Sequence, residues 1–242
     1  MRYNWDWAAV ISSPYLGWFA DGLKWTILVS VCGWILAFVV GSAIGIARTL
    51  PSRHARVFAL SYVSLFRNIP LLVQMFLWFF VLPELLPSAA GRWLKRDLPT
   101  PELYSAILCL GFFTAARVAE QLRSGIQAIR VGQSQAALAL GMTSAQTYRY
   151  VLLPNAYRTI IPVLTSEFLT IFKNSSVALT IGVAEITAQS RRIAEYTFHS
   201  YEAFAVATAI YIGITSTCIL LMRFIEKRSY VPGFMTPDVR ST

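Results

Sequence analysis

Arg117 is the one ionised side chain in an apolar and small-residue run from Leu103 to Val118, and Glu120 follows it three positions later. An ionised group near the middle of a bilayer costs about 2.5–3.5 kcal/mol on insertion scales, so Arg117 is expected to face a cavity or a partner and not lipid. The natural use of a guanidinium there is as a planar fork for a carboxylate. The alternative is that Arg117 merely neutralises Glu120, which lies on the same helical face. Other reactive residues are dispersed. His54 and His199 fall in opposite loops, and Cys32, Cys109 and Cys218 stand singly, without the spacing of a metal set or a disulfide framework. The chain contains no G-x-x-x-x-G-K-[ST], G-x-S-x-G or H-E-x-x-H. These absences argue for binding chemistry and against a chain that hydrolyses nucleotide by itself.

The elements that must position Arg117 follow from composition. Of 242 residues, 56% are apolar and 14% charged, and the mean hydropathy is +0.54. That balance belongs to an integral membrane protein. A hydrocarbon core of about 30 Å takes roughly 20 apolar residues in helix to cross, and five runs qualify, about 26–47, 57–82, 103–122, 160–181 and 203–224. The second carries a polar break from Arg67 to Pro70. All are expected to be helices, because only a helix or a closed barrel satisfies backbone groups in lipid and the runs lack strand alternation. The fold class expected is therefore all-α integral membrane, one domain over 1–242.

Arginine placement orients the chain. Arg48, Arg53 and Arg56 follow the first run, and Arg123, Arg130, Arg149 and Arg158 follow the third, with no acid among either group. Those loops are expected in the cytoplasm. In the opposite loops, Arg92, Lys95 and Arg96 are balanced by Glu84, Asp97 and Glu102, and Arg191 and Arg192 are outweighed by Glu185, Glu195 and Glu202. The N-terminus is then outside and the C-terminus inside. The net charge of +9 is read as a topology signal and an attraction to anionic membrane lipid, with no call for nucleic acid. The N-terminal twenty or so residues are not read as a cleaved signal peptide, since Asp6 opposes Arg2 and Pro14 interrupts the apolar run. Trp5, Trp7, Trp18 and Trp25 suit an outer interfacial belt. Ser229 to Thr242, with Pro232, Gly233 and Pro237, reads as a short cytoplasmic tail.

Between the third and fourth runs lies a polar region, about 130–158, containing QAALALGMTSAQTYRYVLLP from Gln135 to Pro154. Gly141 is placed to end a first short helix. Thr143 or Ser144 is placed to cap a second, running to about Leu152, where Pro154 stops it. Tyr148, Tyr150, Val151 and Leu153 give this pair an apolar, aromatic side that lipid or a partner must cover.

This stretch resembles the cytoplasmic signature of permease subunits of bacterial ATP-binding-cassette importers, E-A-A-x-x-x-G, nine residues, then I-x-L-P. Gln135, Ala136, Ala137 and Gly141 match its first part, and Val151-Leu152-Leu153-Pro154 its second, with Gln135 and Val151 departing conservatively. The resemblance extends over nearly the whole chain and points to the polar amino acid branch. Phe66-Arg67-Asn68-Ile69-Pro70-Leu71-Leu72-Val73-Gln74 is similar to R-G-T-P-L-L-V-Q of that branch. The segment from Ala116 to Ile126 is similar to A-Y-I-A-E-I-V-R-G-G-I, and Lys173-Asn174-Ser175-Ser176 to K-D-T-S. Glutamate/aspartate importer permeases carry RN-P, AARV-E and KNS in these places.

The resemblance implies a type I importer permease fold and a coupling helix after Gly141 that docks into a cleft on a separate ATPase dimer. Gln135, Ala136, Ala137, Gly141, Thr143, Ser144, Tyr148, Leu153 and Pro154 would carry that coupling. ATP would be used by the ATPase, leaving this chain non-catalytic and without cofactor or metal. The expected partners are a second, related permease in a heterodimer, with a homodimer as the alternative, and a periplasmic or extracellular amino acid-binding protein. The setting implied is the bacterial cytoplasmic (inner) membrane. Arg117 stands where the branch has tyrosine, and Asn174 where it has aspartate. Both changes raise local charge by one and favour glutamate or aspartate as cargo, with neutral or basic amino acids as the alternative. Asn68, Gln74, Asn174 and Ser175 are the expected hydrogen-bond partners of the solute, and Glu120 a receiver for its ammonium. Glu167 and Lys173 are expected to be structural, pairing or snorkelling near a helix end. An ion-coupled secondary transporter or a membrane enzyme would need internal repeats or a catalytic constellation, and neither is visible.

Overall fold

The computed structural model describes residues 3–129 and 131–229, and within them the side chains of Val131, Lys227 and Ser229 are outside the description. Arg130, Arg2 and the tail residues 230–242 lie outside the described residues. The described chain is helical with no strand. Twelve α-helices follow one another, beginning with α1 (Ala8–Ile11), α2 (Tyr15–Ala47), α3 (Arg53–Asn68), α4 (Leu71–Phe76), α5 (Leu82–Leu85), α6 (Ser88–Arg92) and α7 (Pro101–Ala128). After these come α8 (Val131–Ala139), α9 (Ser144–Thr147), α10 (Leu153–Asn174), α11 (Ile186–Thr197) and α12 (Ser200–Ser229).

Three helices, Tyr15–Ala47, Pro101–Ala128 and the Ser200–Glu226 part of α12, are each long and apolar enough to cross a membrane. Two bent pairs raise the number to five if each is one span: α3 with Leu71–Leu85 at 105°, and Ser144–Ile181 with α11 at 52°. The five expected runs all fall on these elements, with corrected bounds. The first helix starts at Tyr15, well before Thr26, because nothing in Tyr15–Trp25 breaks it. At 33 residues it is about 50 Å long, more than the hydrocarbon core demands. The loop expected between the fourth and fifth runs contains α11, whose start is fixed by the carboxylate of Glu185 accepting from the amides of Thr187 at 2.9 Å and Ala188 at 2.8 Å.

Helix α7 is the hub, packed against α2, α3, α4 and α10. Its face toward α2 is lined by small residues, which lets two backbones approach where no hydrophobic drive between helices exists. Gly41 shows how closely: a Cβ there would fall 2.7 Å from Val118 Cβ and 2.8 Å from the Ala115 carbonyl oxygen. One turn on, a Cβ at Gly45 would lie 2.8 Å from the Ala119 carbonyl oxygen.

The expected polar break is a sharp corner. Ile69, kept out of the helical region by the proline that follows, has φ −96° and ψ 128°, and Pro70 opens α4. The corner frees carbonyls of α3. Gln74 satisfies them, its Nε2 donating to the oxygens of Phe66 and Ile69, both at 2.9 Å.

Hydrogen bonds sort the helix ends into two groups. At one end the Tyr3 hydroxyl (2.6 Å) and the Asp6 amide (2.9 Å) donate to buried Glu202, while Arg192 stacks on Trp18 with its Cζ 4.0 Å from the ring. At the other end the Tyr148 hydroxyl donates to the Thr49 carbonyl at 2.9 Å. The arginine-rich segments after α2 and after α7 therefore share one end, and the acid-balanced N-terminus and the α11–α12 region share the other.

Gly41→Val should lower the stability of the detergent-solubilised protein by about 1–3 kcal/mol, the usual range for overpacking, read as an earlier thermal unfolding transition. Gly17→Ala, where an added Cβ meets nothing within 4 Å, should leave that transition in place.

Candidate functional site

Two cavities share Arg67 and Glu120 in their walls. One, of about 290 Å³, is bounded by Phe66, Arg67, Phe113, Arg117, Glu120, Gln121 and Glu167. The other, of about 440 Å³, is bounded by Arg48, Leu60, Val63, Ser64, Arg67, Asn68 and Glu120. Their sizes sit near the lower end of small-molecule sites. The walls come from α3, α7 and α10, with Arg48 reaching in from the end of α2.

Arg117 is set in two ways. Its Cζ lies 5.2 Å from the centre of the Phe113 ring, one helical turn earlier, a distance suited to cation–π attraction. Its Nη1 lies 3.7 Å from Glu167 Oε2 on α10, an ion pair too long for a hydrogen bond. The arginine side chain is 42% exposed and the glutamate 13%. Arg117 thus opens into the cavity while Glu167 is sheltered beside it.

Arg117 lines a cavity as expected, and the alternative, that it merely neutralises Glu120, is not the pairing formed. Glu120 Oε2 accepts from Arg48 Nη1, and its Oε1 accepts from Arg123 Nε at 3.1 Å and from Nη2 of the same guanidinium. Arg123 extends the network to Gln127 on the next turn. With both oxygens engaged, Glu120 is a brace between α2 and α7, and the acceptor capacity left for a solute ammonium is on Oε2, which takes a single donor. Glu167, expected to be structural, is the carboxylate that faces Arg117.

The remaining expected contacts divide. Asn68 is exposed and borders the larger cavity. Gln74 is 3% exposed and its amide nitrogen is used by the corner at Ile69–Pro70. Ser175 is fully buried, donating to the Phe172 carbonyl at 2.7 Å. Asn174 and Ser175 lie seven and eight residues beyond Glu167, about 10–12 Å along the axis, and border neither cavity. Sequence reasoning passed over Arg48 and Arg67 as cavity residues and read Glu167 as structural. The signal for Glu167 was present, since an acid inside an apolar run is a functional candidate by default.

The segment from α8 to α10 begins as expected and ends otherwise. Gly141 adopts φ +82°, the left-handed conformation that an L side chain resists, and closes α8. Its amide donates to the Leu138 carbonyl at 3.0 Å, and that of Met142 to Ala137 at 3.1 Å. Thr143 and Gln146 then form a reciprocal cap on α9, each side chain accepting from the other's amide, at 3.3 and 2.8 Å. Pro154, however, does not stop the second helix. A wide turn, Tyr148–Leu152, in which the Leu153 amide donates to Tyr148, carries α9 directly into α10, and Pro154 sits in the first turn of α10, where its missing amide is tolerated. Leu138 (50%), Leu140 (82%) and Tyr150 (63%) are exposed. Gln135, Ala136 and Ser144 are exposed with them, and Ala137 and Leu152 are buried. Among the described residues nothing covers this apolar surface at one end of the helices.

A helical membrane subunit with charged cavities and an exposed apolar segment at one end is the class that this architecture defines. The chain belongs to the binding-protein-dependent transport system inner membrane component family, whose model matches residues 15–229. It is a type I permease subunit of an ATP-binding-cassette importer, a non-catalytic membrane component served by a separate ATPase. Among curated proteins it is 46% identical to the glutamate/aspartate import permease protein GltJ of Escherichia coli (strain K12), over 97% of this chain and 99% of that one. It is 32% identical to the glutamate/aspartate import permease protein GltK of Escherichia coli O6:H1, over 94% and 99%. A crystal structure of an amino acid ABC transporter with histidines superposes with a TM-score of 0.79 at 29% identity, covering 93% of this chain and 100% of that one.

Glu120→Gln would leave Arg48 and Arg123 facing a neutral amide. Hydrogen bonds to charged groups contribute about 1.5–3 kcal/mol, so thermal unfolding in detergent should occur earlier by a corresponding amount, whereas Asn68→Ala should leave it unmoved.

Proposed function

We propose that this chain forms, with a second and different permease, the membrane path by which glutamate and aspartate enter the bacterial cytoplasm. A binding protein outside delivers the amino acid, and an ATPase dimer inside drives alternating access. The observation that carries the acidic cargo is the Arg117 guanidinium, held over Phe113 and opening into a cavity that Arg67 also borders. With Glu120 consumed by Arg48 and Arg123, the cavity offers two arginines against the single carboxylate of Glu167. That excess suits a solute with a net negative charge and disfavours a cationic one. The identity to a glutamate/aspartate import permease points the same way.

The orientation proposed is N-terminus outside and C-terminus inside, supported by the arginine-rich segments gathered at one end. There the exposed face of Leu138, Leu140 and Tyr150 docks into the ATPase cleft. Tyr148, bonded to Thr49 at the α2–α3 turn, ties that docking segment to the end of α2, where Arg48, the residue after Ala47, braces Glu120 at the cavity. A displacement of the segment thus reaches the cavity wall through two contacts.

Arg117→Gln, in proteoliposomes holding the receptor, both permeases and the ATPase, should abolish uptake of glutamate and aspartate while the complex still assembles. Uptake equal to wild type would end the assignment of Arg117 as solute-reading. Leu140→Glu should prevent copurification of the ATPase while leaving the two permeases together.

A further inference from the structure

Glu167 is a carboxylate without a comfortable partner. Its Oε2 is buried and has no hydrogen bond among the described residues. Its only ion-pair contact there is Arg117 Nη1 at 3.7 Å. A buried carboxylate oxygen lacking a donor is costly, and an arginine with a single long contact has most of its fork unused. The pair is therefore held by proximity and not by geometry. Arg117 does not depend on it for position, because the Phe113 ring supports the guanidinium from the preceding turn.

We infer that Glu167 is an internal competitor for the solute: it stands at Arg117 when the cavity is empty, yields the guanidinium to an incoming carboxylate, and then repels that carboxylate. The inference rests on the acidic-cargo reading above and adds the device that keeps binding weak. A bidentate carboxylate on Arg117 makes shorter, charge-assisted bonds than Glu167 does at 3.7 Å. Once the solute is seated, Glu167 is a second negative charge beside it, in a site sheltered enough for the repulsion to be felt. Occupancy is thereby made costly, and release becomes easy. A permease gains from this, since tight binding of a transported solute only lowers its exit rate. Glu167 acts as a specificity-determining residue through charge: the repulsion applies to an anionic side chain and not to a neutral amide.

The test uses the assembled complex of both permeases and the ATPase in detergent, without nucleotide, and measures equilibrium binding of radiolabelled L-glutamate and L-glutamine, followed by uptake in proteoliposomes. Glu167→Gln is expected to bind glutamate at least tenfold more tightly than wild type with glutamine unchanged, and to lower KM and kcat for glutamate uptake together. Arg117→Gln, and the double variant, are expected to bind no glutamate. If Arg117→Gln loses glutamate but Glu167→Gln binds it no better than wild type, the competitor role is overturned and the acidic-cargo reading stands. If Arg117→Gln binds and transports glutamate as wild type does, the underlying reading fails. Should Glu167→Gln not assemble, Glu167→Asp keeps the charge but withdraws it by one methylene. An intermediate gain in glutamate affinity supports the competitor, and wild-type affinity overturns it.

Discussion

The close approach of α2 to α7 is the constraint on which the rest of the molecule depends. Inside a bilayer there is no hydrophobic gain from pressing two apolar helices together, so contact must come from backbones near enough for dispersion to act over a long seam. Gly41 leaves no room for a side chain against Val118 and Ala115. That seam fixes the axial and rotational position of α7, and with it the direction in which Phe113, Arg117 and Glu120 project. It also brings the end of α2 alongside Glu120, so that Arg48 can reach it. A wider seam would separate the brace from its anchor.

Two breaks interrupt the helices around that seam, and the two cavities lie beside the first of them. The corner at Ile69–Pro70 turns the chain by 105° and would strand carbonyls in a medium with few donors. Gln74 removes that cost from within, committing its amide nitrogen to the corner. On the far side, Glu185 does for the start of α11 what Gln74 does for the end of α3, receiving two amides and the Tyr211 hydroxyl at 2.7 Å. Both devices confine irregular backbone to places where a side chain replaces water. Arg67, just before the corner, is left to line both cavities.

Charge in this chain has three uses that the structure separates. Glu120 with Arg48 and Arg123 is a satisfied network joining helices. Arg117 with Glu167 is a loose pair, bordered by an open cavity. Arg192 on Trp18 belongs to an aromatic end where cations rest on rings. A pair with both oxygens bonded resists displacement, whereas one at 3.7 Å invites it. The corner formed by Arg48 and Thr49 stands between the cavity and the segment from Gly141 to Leu152, one residue bonding to each.

The sequence by itself determined the helical membrane character, the positions of the apolar runs, the break before Pro70, the left-handed Gly141 and the Thr143 cap. Each of these is a local consequence of hydropathy, proline sterics or a single backbone conformation. It also contained the family signature from Gln135 to Pro154 and the anomaly of Arg117. Sequence spacing misjudged Pro154, because a wide turn absorbs its missing amide and lets the helix continue. The alternative pairing it offered for Arg117 is not the one formed. Proximity of three residues on one helix suggested Glu120, but Arg48 from 72 residues away takes that carboxylate, and Glu167 from another helix takes its place. Only the tertiary structure decided which acid meets which base, because pairing between helices depends on their rotation and axial offset. Those are set by packing along the α2–α7 seam and leave no mark in the local pattern.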